Sequence, residues 1–223
     1  MEDNLAIRAI TKFIGSLIIV GALLFLPAGT LHFWRAWLFI GVLAIPMLLV
    51  GIVLYLKSPV LLAKRLNRKE TEPEQKWVIG LSGMMFIGGF IVAALDFRHQ
   101  WSQLPDWISI AAAVIYLIGY ALFVEVMREN AYLSRIVEVQ DSQKVIDTGL
   151  YAIVRHPMYS ATLFLFLAMP LILGSSYAFL IFLIYPCLLV KRINSEESVL
   201  REGLLGYADY MKKVQHRLIP FVW

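Results

Sequence analysis

The sequence predicts an all-α, polytopic integral membrane protein, and three features of the chain support that fold class. Hydrophobic residues make up 60% and charged residues 16% of the 223 residues, whereas a soluble domain is typically about half apolar. The charged residues are separated by long apolar stretches, each close to the roughly 20 residues that a helix needs to cross a bilayer. Several of these stretches begin with tryptophan, a residue that anchors helices at the membrane interface. The composition therefore excludes an ordinary soluble domain.

Four apolar segments are long enough to cross the membrane as single helices. They are approximately residues 9–28, 34–56, 77–95 and 107–127. We expect residues 1–127 to form an N-terminal transmembrane part and residues 128–223 a C-terminal part within one structural unit. The chain begins with acidic residues before the first apolar stretch, so we predict no removable signal peptide.

A fifth apolar region predicts a helical hairpin. Residues 158–190 contain no charge and are interrupted by the sequence GSS at 174–176. Each arm is short for a full crossing, so we expect two helices that turn back at this break. The second arm is predicted to continue past Val190 into water as one helix, because the pairs Arg192/Glu196 and Glu197/Arg201 lie one turn apart.

The segment after this helix has an amphipathic pattern. We predict that Gly206 ends the long helix, since glycine is common just beyond a helix C-terminus. Beyond it, Tyr207, Tyr210, Met211 and Val214 share one helical face. We expect a short helix that lies at the lipid headgroups, with the tyrosines in the interfacial belt.

Basic residues predict the orientation of the protein. Of the 20 lysines and arginines, 18 fall in the N-terminal segment, 57–76, 128–157 and 191–223. The positive-inside rule therefore places both termini and these segments in the cytoplasm. The same bias accounts for the net charge of +4 without a nucleic-acid partner. The four histidines are scattered and the single cysteine lies in an apolar run, so we predict no metal site.

The candidate site begins at the start of the hairpin, where Arg155, His156 and Pro157 are adjacent. Proline suits the first turn of a helix because its missing N–H would be unpaired there anyway. We expect the amides of Met158 and Tyr159 to be free for an anionic ligand group, with His156 as a further donor or acceptor. Two simpler interpretations remain: Arg155 anchors the helix at the interface, and His156 only caps it.

The hairpin should bring a second polar stretch, KRINSEESVL, next to this one. Glu196 follows Arg192 by one helical turn, so the two share a face, whereas Glu197 lies about 100° around the helix. We therefore predict that Glu196 faces the pocket with Arg192. The alternative is a pair of solvent-exposed salt bridges. Glu125, near the inner end of the fourth span, is predicted to be structural and paired with Arg128.

Three motifs resemble one family. GLYAIVRHPMYSA, then NSEESVL, then GYADYMKKVQHRLIP resemble the isoprenylcysteine carboxyl methyltransferase family and related phospholipid methyltransferases, whose pattern is G-P-Y-x-x-x-R-H-P-x-Y-x-G, paired glutamates and a tyrosine-rich end. The resemblance covers roughly residues 130–220. This chain has Leu150 where the family often has proline, and Ala161 where it often has glycine.

The resemblance implies a membrane-embedded methyltransferase that uses S-adenosylmethionine and a lipid-like or prenylated substrate from the bilayer. Arg192 and Glu196 would be the catalytic residues, and Arg192 would bind the substrate carboxylate. The cofactor would be held by Gln140, Val145, Ile146, Tyr151, His156, Pro157, Tyr159 and Glu196.

The methyl acceptor stays open at this point. A carboxylate is already ionised at neutral pH and needs no strong base. An amine would need Glu196, Glu197 or His156 to remove a proton. The resemblance also leaves two alternative activities open. One is N- or O-methylation of a phospholipid or other lipid, and the other is that of a membrane reductase of the sterol-reductase type, which uses a reduced nicotinamide cofactor. A non-enzymatic scaffold or transporter would place more polar residues at the bilayer midplane.

Overall fold

The computed structural model describes residues 2–66, 73–130, 132–133 and 143–223. The regular elements in these ranges are all helical, which confirms the predicted all-α fold. In chain order they are α1 (Glu2–Ala28), α2 (Trp34–Lys57), α3 (Pro59–Leu66), α4 (Pro73–His99), α5 (Asp106–Glu129), a 3-10 helix (Gly149–Ala152), α6 (Pro157–Ile172), α7 (Ser176–Phe182), α8 (Tyr185–Gly203) and α9 (Tyr207–Lys213).

The four predicted transmembrane segments are confirmed as α1, α2, α4 and α5. Each is long and apolar enough to cross a bilayer, and the region Ser176–Gly203 meets the same criterion. The outer surfaces of the helices carry large apolar side chains such as Ile18, Ile19 and Leu26, all more than half exposed in the isolated chain. Such surfaces are suited to contact with lipid tails rather than with water.

The helix α3 was not predicted, because residues 57–76 contain many charged residues. It starts at Pro59, directly after Ser58, whose amide donates to the carbonyl of Leu54 in α2 over 2.8 Å. Leu61 and Leu62 are buried against the other helices. Tertiary packing therefore stabilises a helix that the charge pattern of this segment did not indicate.

The predicted hairpin is confirmed at the GSS break. Helix α6 ends at Ile172, and Gly174 adopts a φ of +77°, a left-handed conformation that glycine tolerates without strain. The side chain of Ser175 then accepts a hydrogen bond from the amide of Ala178 and caps α7. These two residues reverse the chain and begin the second arm.

The second arm is not one uninterrupted helix, as the sequence had suggested. Helix α7 ends at Phe182, and α8 begins at Tyr185 with Pro186 in its first turn. The connecting residues Leu183 and Ile184 retain right-handed helical dihedrals. The break follows from Pro186, which has no N–H to continue the hydrogen-bond ladder.

A buried aspartate fastens the tip of the hairpin to the end of α4. Asp96 is 1% exposed and accepts hydrogen bonds from the amide and hydroxyl of Ser102, both at 2.6 Å, and from the hydroxyl of Ser175. Arg98 instead reaches the carbonyl of Pro27. Their positions near the outer end of the third predicted span suggest that Asp96 and Arg98 pair at the interface. That interpretation is wrong, because Asp96 faces inward.

Helix α6 packs closely along α5. A Cβ added to Gly119 would lie 2.9 Å from the Cβ of Phe164 and 3.2 Å from the carbonyl oxygen of Ala161. Ala161 is fully buried in the core and is not among the residues that line the polar cavity described below. The methyl group of Ala161 therefore lies in the core and not at that cavity.

The C-terminal segment differs most from the prediction. Helix α8 ends at Gly203, and Gly206, with a φ of +85°, precedes the first residue of α9 instead of ending α8. Tyr207, Tyr210 and Val214 are buried with Leu204 in a small apolar cluster. The apolar face of α9 thus packs against the protein rather than against lipid headgroups.

Candidate active site

One polar cavity lies at the end of the hairpin that is far from Gly174. Its lining residues surround about 880 Å³ of space, which includes solvent at the open mouth. Residues from the end of α5, the loop before α6, the first turn of α6, α8 and α9 line it. They are Asn130, Tyr132, Leu133, Gln143, Lys144, Val145, Ile146, Tyr151, Arg155, His156, Pro157, Met158, Tyr159, Arg192, Glu196, Leu200, Leu204, Tyr207 and Tyr210.

Most of the predicted site residues line this cavity. They are Val145, Ile146, Tyr151, His156, Pro157, Tyr159, Arg192 and Glu196. Gln140 lies outside the described residues. The hairpin therefore joins the two polar stretches at one site, although the binding role of each residue stays a prediction.

Tyr159 connects the two residues that we predicted to be catalytic. The Nε of Arg192 donates to the hydroxyl of Tyr159 over 2.8 Å, and this hydroxyl donates to Oε2 of Glu196 over 2.5 Å. The aromatic ring of Tyr159 is buried beneath the cavity. The hydroxyl thereby fixes the position of a cation and an anion relative to each other in the cavity wall.

Glu197 points away from the cavity and is 2% exposed. Its Oε1 accepts from Nε of Arg155 at 2.7 Å and lies 3.2 Å from Nε2 of His156. Its Oε2 lies 2.9 Å from a guanidinium nitrogen of Arg217. The choice between the paired glutamates thus agrees with the geometry, since Glu196 lines the cavity and Glu197 is buried behind it.

Sequence reasoning missed this ion network. Arg155 was most simply interpreted as an interfacial anchor, yet it is 7% exposed. Its guanidinium also donates to the carbonyls of Val214 and Gln215 at 2.8 and 2.9 Å. One signal in the sequence could have indicated the network. Glu197 lies about 100° around the helix from Glu196, so it must face away from the pocket and needs a different partner.

The chain that follows α9 lies directly against the start of α6. The amides of Arg155 and His156 donate to the carbonyls of His216 and Arg217, each over 2.9 Å. The hydroxyl of Ser160 donates to the carbonyl of Leu218 over 2.6 Å. The last residues of the chain therefore support the arginine-histidine-proline turn from behind, a contact that no local pattern predicts.

The start of α6 only partly matches expectation. Pro157 is the first helical residue, as predicted, and His156 is the N-cap. The amide of Tyr159, however, donates to the carbonyl of His156 over 3.0 Å, so the prediction that it is free for an anion is wrong. The His156 ring does not cap the helix but is directed to Glu197.

Tyrosines from two segments, the 3-10 helix and α9, line part of the cavity. The hydroxyl of Tyr151 accepts from the side-chain amide of Asn130 over 2.8 Å, and its carbonyl accepts from the hydroxyl of Tyr210 over 2.7 Å. Burial raises the pKa of Tyr151 to about 12 and also raises the pKa of Tyr207 and Tyr210. These phenols are therefore neutral at physiological pH. We had expected Tyr207 and Tyr210 to face the membrane interface.

The segment 143–146 also lines the cavity. It contributes the aliphatic side chains of Val145 and Ile146 and the cation of Lys144. Asp147 pairs with Lys213 of α9 over 2.7 Å, and this hydrogen bond lowers the pKa of the exposed Asp147. The cavity thus has apolar and charged surfaces side by side.

Two further observations concern ionisable groups. Glu125 pairs with Arg128, three residues later on α5, at 2.5 Å, which agrees with a structural role. Among the described histidine, cysteine, aspartate and glutamate residues, no group of three or more could hold a metal ion.

Both the sequence and the fold resemble those of known proteins. Residues 110–202 match the profile of the isoprenylcysteine carboxyl methyltransferase (ICMT) family. The fold matches a solved structure of the eukaryotic intramembrane Ras methyltransferase ICMT, determined without a monobody, with a TM-score of 0.58 and 19% sequence identity. That match covers 96% of this chain and 77% of the other. No curated protein sequence matches the chain. The predicted resemblance is confirmed over residues 110–202, which match the ICMT family, and the chain has the fold of that solved structure.

Proposed function

We propose that this protein is an S-adenosylmethionine-dependent membrane methyltransferase that esterifies the carboxylate of a prenylcysteine-like amphiphile. The observation that carries the proposal is the single cavity in which Arg192, Tyr159 and Glu196 meet the aliphatic segment around Val145. The family match over residues 110–202 supports methyl transfer as the reaction class.

The side chains of the cavity fit S-adenosylmethionine. Val145, Ile146 and Leu200 offer an apolar surface for a nucleoside base, while Glu196 offers a carboxylate for an ammonium group or ribose hydroxyls. The buried hydroxyl of Tyr207 has no hydrogen-bond partner among the described residues, so the site holds an unused polar group.

The residues of the chain would act mainly by positioning. When bound, S-adenosylmethionine supplies a sulfonium methyl group for in-line displacement, a reaction in which orientation contributes much of the acceleration. Arg192 would hold the substrate carboxylate through its forked donors, and Tyr159 would keep Arg192 at a fixed distance from Glu196. No general base is needed, because a carboxylate is ionised at neutral pH.

A second, apolar cavity supports an amphiphilic substrate. It lies among α1, α2, α3 and α5 and encloses about 1290 Å³, open space included. Its lining is mostly aliphatic and aromatic, and Arg65 lies over the ring of Phe123 at 4.8 Å. Met127 lines the apolar cavity and Asn130, three residues further, lines the polar one. We propose that the lipid chain occupies the apolar cavity while its polar end reaches Arg192.

The cytoplasmic orientation of the site also belongs to the proposal. It is supported by the 18 of 20 basic residues that fall on the cavity side of the predicted topology. With Cys187 replaced by alanine, Glu202→Cys should react with a membrane-impermeant maleimide only from the cytoplasmic side. His99→Cys should react only from the other side, and the reverse pattern would overturn the orientation.

The test of the activity is a labelled-methyl transfer assay on the purified protein in lipid nanodiscs. We expect transfer to farnesylcysteine analogues as an alkali-labile ester, which releases volatile methanol. Aminophospholipids would instead give alkali-stable methylamines, and quinone-like lipids would give ethers. Product on either of these alone would overturn the carboxylate assignment. A wild-type protein that binds neither S-adenosylmethionine nor S-adenosylhomocysteine in calorimetry would overturn the methyltransferase itself.

A further inference from the structure

Tyr207 is the first residue of α9 and forms part of the wall of the polar cavity. Its side chain is 4% exposed, and its hydroxyl has no hydrogen-bond partner among the described residues. A buried hydroxyl without a partner is destabilising, and nearly all such groups in folded proteins are paired. This hydroxyl is therefore an exception that needs an explanation.

The neighbouring tyrosine provides a comparison within the same helix. Tyr210 is also buried and lines the same cavity, and the two rings lie 5.7 Å apart. Its hydroxyl, however, donates to the carbonyl of Tyr151 over 2.7 Å. The fold thus supplies a partner for one of two adjacent buried phenols and leaves the other without one.

The charges around Tyr207 limit the group that its hydroxyl can bind. Glu196 and Glu197 are both close enough to raise the pKa of Tyr207, after the larger effect of burial. A ligand carboxylate at this point would be repelled by two carboxylates, which Arg155 only partly offsets. A neutral acceptor is compatible with them, and a sugar hydroxyl could also donate to Glu196.

The apolar neighbours of Tyr207 also favour the uncharged, nucleoside end of a ligand at this position. Leu204, Leu200 and Val145 pack with it in one cluster, and all of them also line the cavity. A planar base fits an aliphatic and aromatic wall of this kind.

We infer that the Tyr207 hydroxyl is a ligand-binding group of the polar cavity and donates to a neutral acceptor in the nucleoside half of the bound molecule. This inference rests on the proposed function and adds to it a residue outside the predicted set. Tyr207 contacts the ligand in this arrangement but takes no part in transferring the methyl group.

The test compares Tyr207→Phe with wild-type protein, using two ligands in calorimetry. S-adenosylhomocysteine carries both the nucleoside and the amino acid, whereas 5′-methylthioadenosine lacks the amino acid. We expect Tyr207→Phe to weaken the binding of both ligands by a similar factor, about three- to tenfold. Equal affinity of the variant and the wild type for both ligands would overturn the inference. So would a loss confined to S-adenosylhomocysteine, because it would place the contact at the amino-acid half.

Thermal unfolding without ligand distinguishes a binding role from a structural one. Tyr207→Phe should keep or raise the midpoint, because it removes an unpaired buried hydroxyl, whereas Tyr210→Phe should lower it by breaking a hydrogen bond. A decrease in Tyr207→Phe as large as that in Tyr210→Phe would overturn the inference. A wild-type protein that binds neither ligand would overturn the proposed function and this inference together. If the wild type binds both ligands, a failure of the Tyr207→Phe prediction overturns this inference alone and leaves the proposed function standing.

Discussion

Arg155 and Glu197 form a buried ion pair that joins the loop before α6 to the middle of α8, with Nε of Arg155 at 2.7 Å from Oε1 of Glu197. His156 and Arg217 approach the same carboxylate at 3.2 and 2.9 Å. His156 lines the cavity, and Glu196, which also lines it, is adjacent to Glu197 in the chain. The Glu197 carboxylate therefore fixes the position of the loop before α6 relative to α8 at the site.

Removing the charge of Glu197 should destabilise the protein. Glu197→Ala leaves Arg155 and Arg217 without their shared partner, and breaking a buried pair from one side typically costs about 3–5 kcal/mol. We expect a clear decrease in the thermal unfolding midpoint in detergent, with Glu202→Ala, an exposed position on the same helix, as the control. Equal midpoints for the two variants would show that the network contributes little.

Tyr159→Phe tests the link between Arg192 and Glu196. The change removes two hydrogen bonds to charged groups, and such bonds contribute about 1.5–3 kcal/mol each. We therefore predict a decrease of roughly tenfold or more in kcat/KM for methyl transfer.

Tyr185→Phe is the matched control for that prediction. Its hydroxyl also makes a buried hydrogen bond, to Thr162 over 2.7 Å, but Tyr185 is not among the described residues that line the cavity. We expect a lower unfolding midpoint in Tyr185→Phe without a comparable decrease in kcat/KM for methyl transfer. Similar kinetic losses in both variants would contradict a specific role for Tyr159.

Filling the apolar cavity should affect only the lipid substrate. Ala9→Phe adds a ring where α1 lines that cavity, so we predict a higher KM for a farnesylated acceptor and unchanged calorimetric affinity for S-adenosylhomocysteine. Ile7→Phe, on an exposed part of the same helix, is the control. Unchanged KM in Ala9→Phe would argue that the chain of the substrate binds elsewhere.

Two adjacent glycines of α4 test how tightly the hairpin packs. A Cβ at Gly89 would lie 2.3 Å from the ring of the fully buried Phe182, whereas one at Gly88 would meet nothing within 4 Å. Gly89→Ala should therefore cost about 1–3 kcal/mol through overpacking. Gly88→Ala should be neutral or stabilising, since alanine favours a helix interior. The unfolding midpoints of the two variants should differ in that direction.

The buried tyrosines predict a response to alkaline pH. The pKa of Tyr151 is raised to about 12, above the unfolded value of about 10. The sign of the effect follows: its contribution to stability is complete below about pH 10 and is lost as the pH rises toward about 12. We expect a nearly constant unfolding midpoint from about pH 8 to 9.5 and a falling midpoint above about pH 10. A midpoint that stays constant to about pH 12 would contradict the raised pKa of Tyr151.

Much of the fold was predictable because it depends on local properties of the chain. The length of an apolar segment determines whether a helix can cross a bilayer, so the bounds of α2 and α5 follow closely from 34–56 and 107–127. The GSS break and the proline at 157 likewise act through their own backbone preferences. The face shared by Arg192 and Glu196 follows from helical periodicity alone, and this was sufficient to choose Glu196 over Glu197.

The remaining features depended on contacts between segments far apart in the chain. Nothing local to Arg155 indicates that it is buried, because its partners are Glu197 and the carbonyls of Val214 and Gln215. The same holds for α9, whose amphipathic pattern fits either a lipid surface or a protein surface. The sequence by itself determined which segments are long and apolar enough to span the membrane and which two polar stretches meet at the cavity. Only the tertiary structure decided that Arg155 is buried behind the cavity and that α9 packs against the protein, because a buried charge is stable only where distant residues supply its partners.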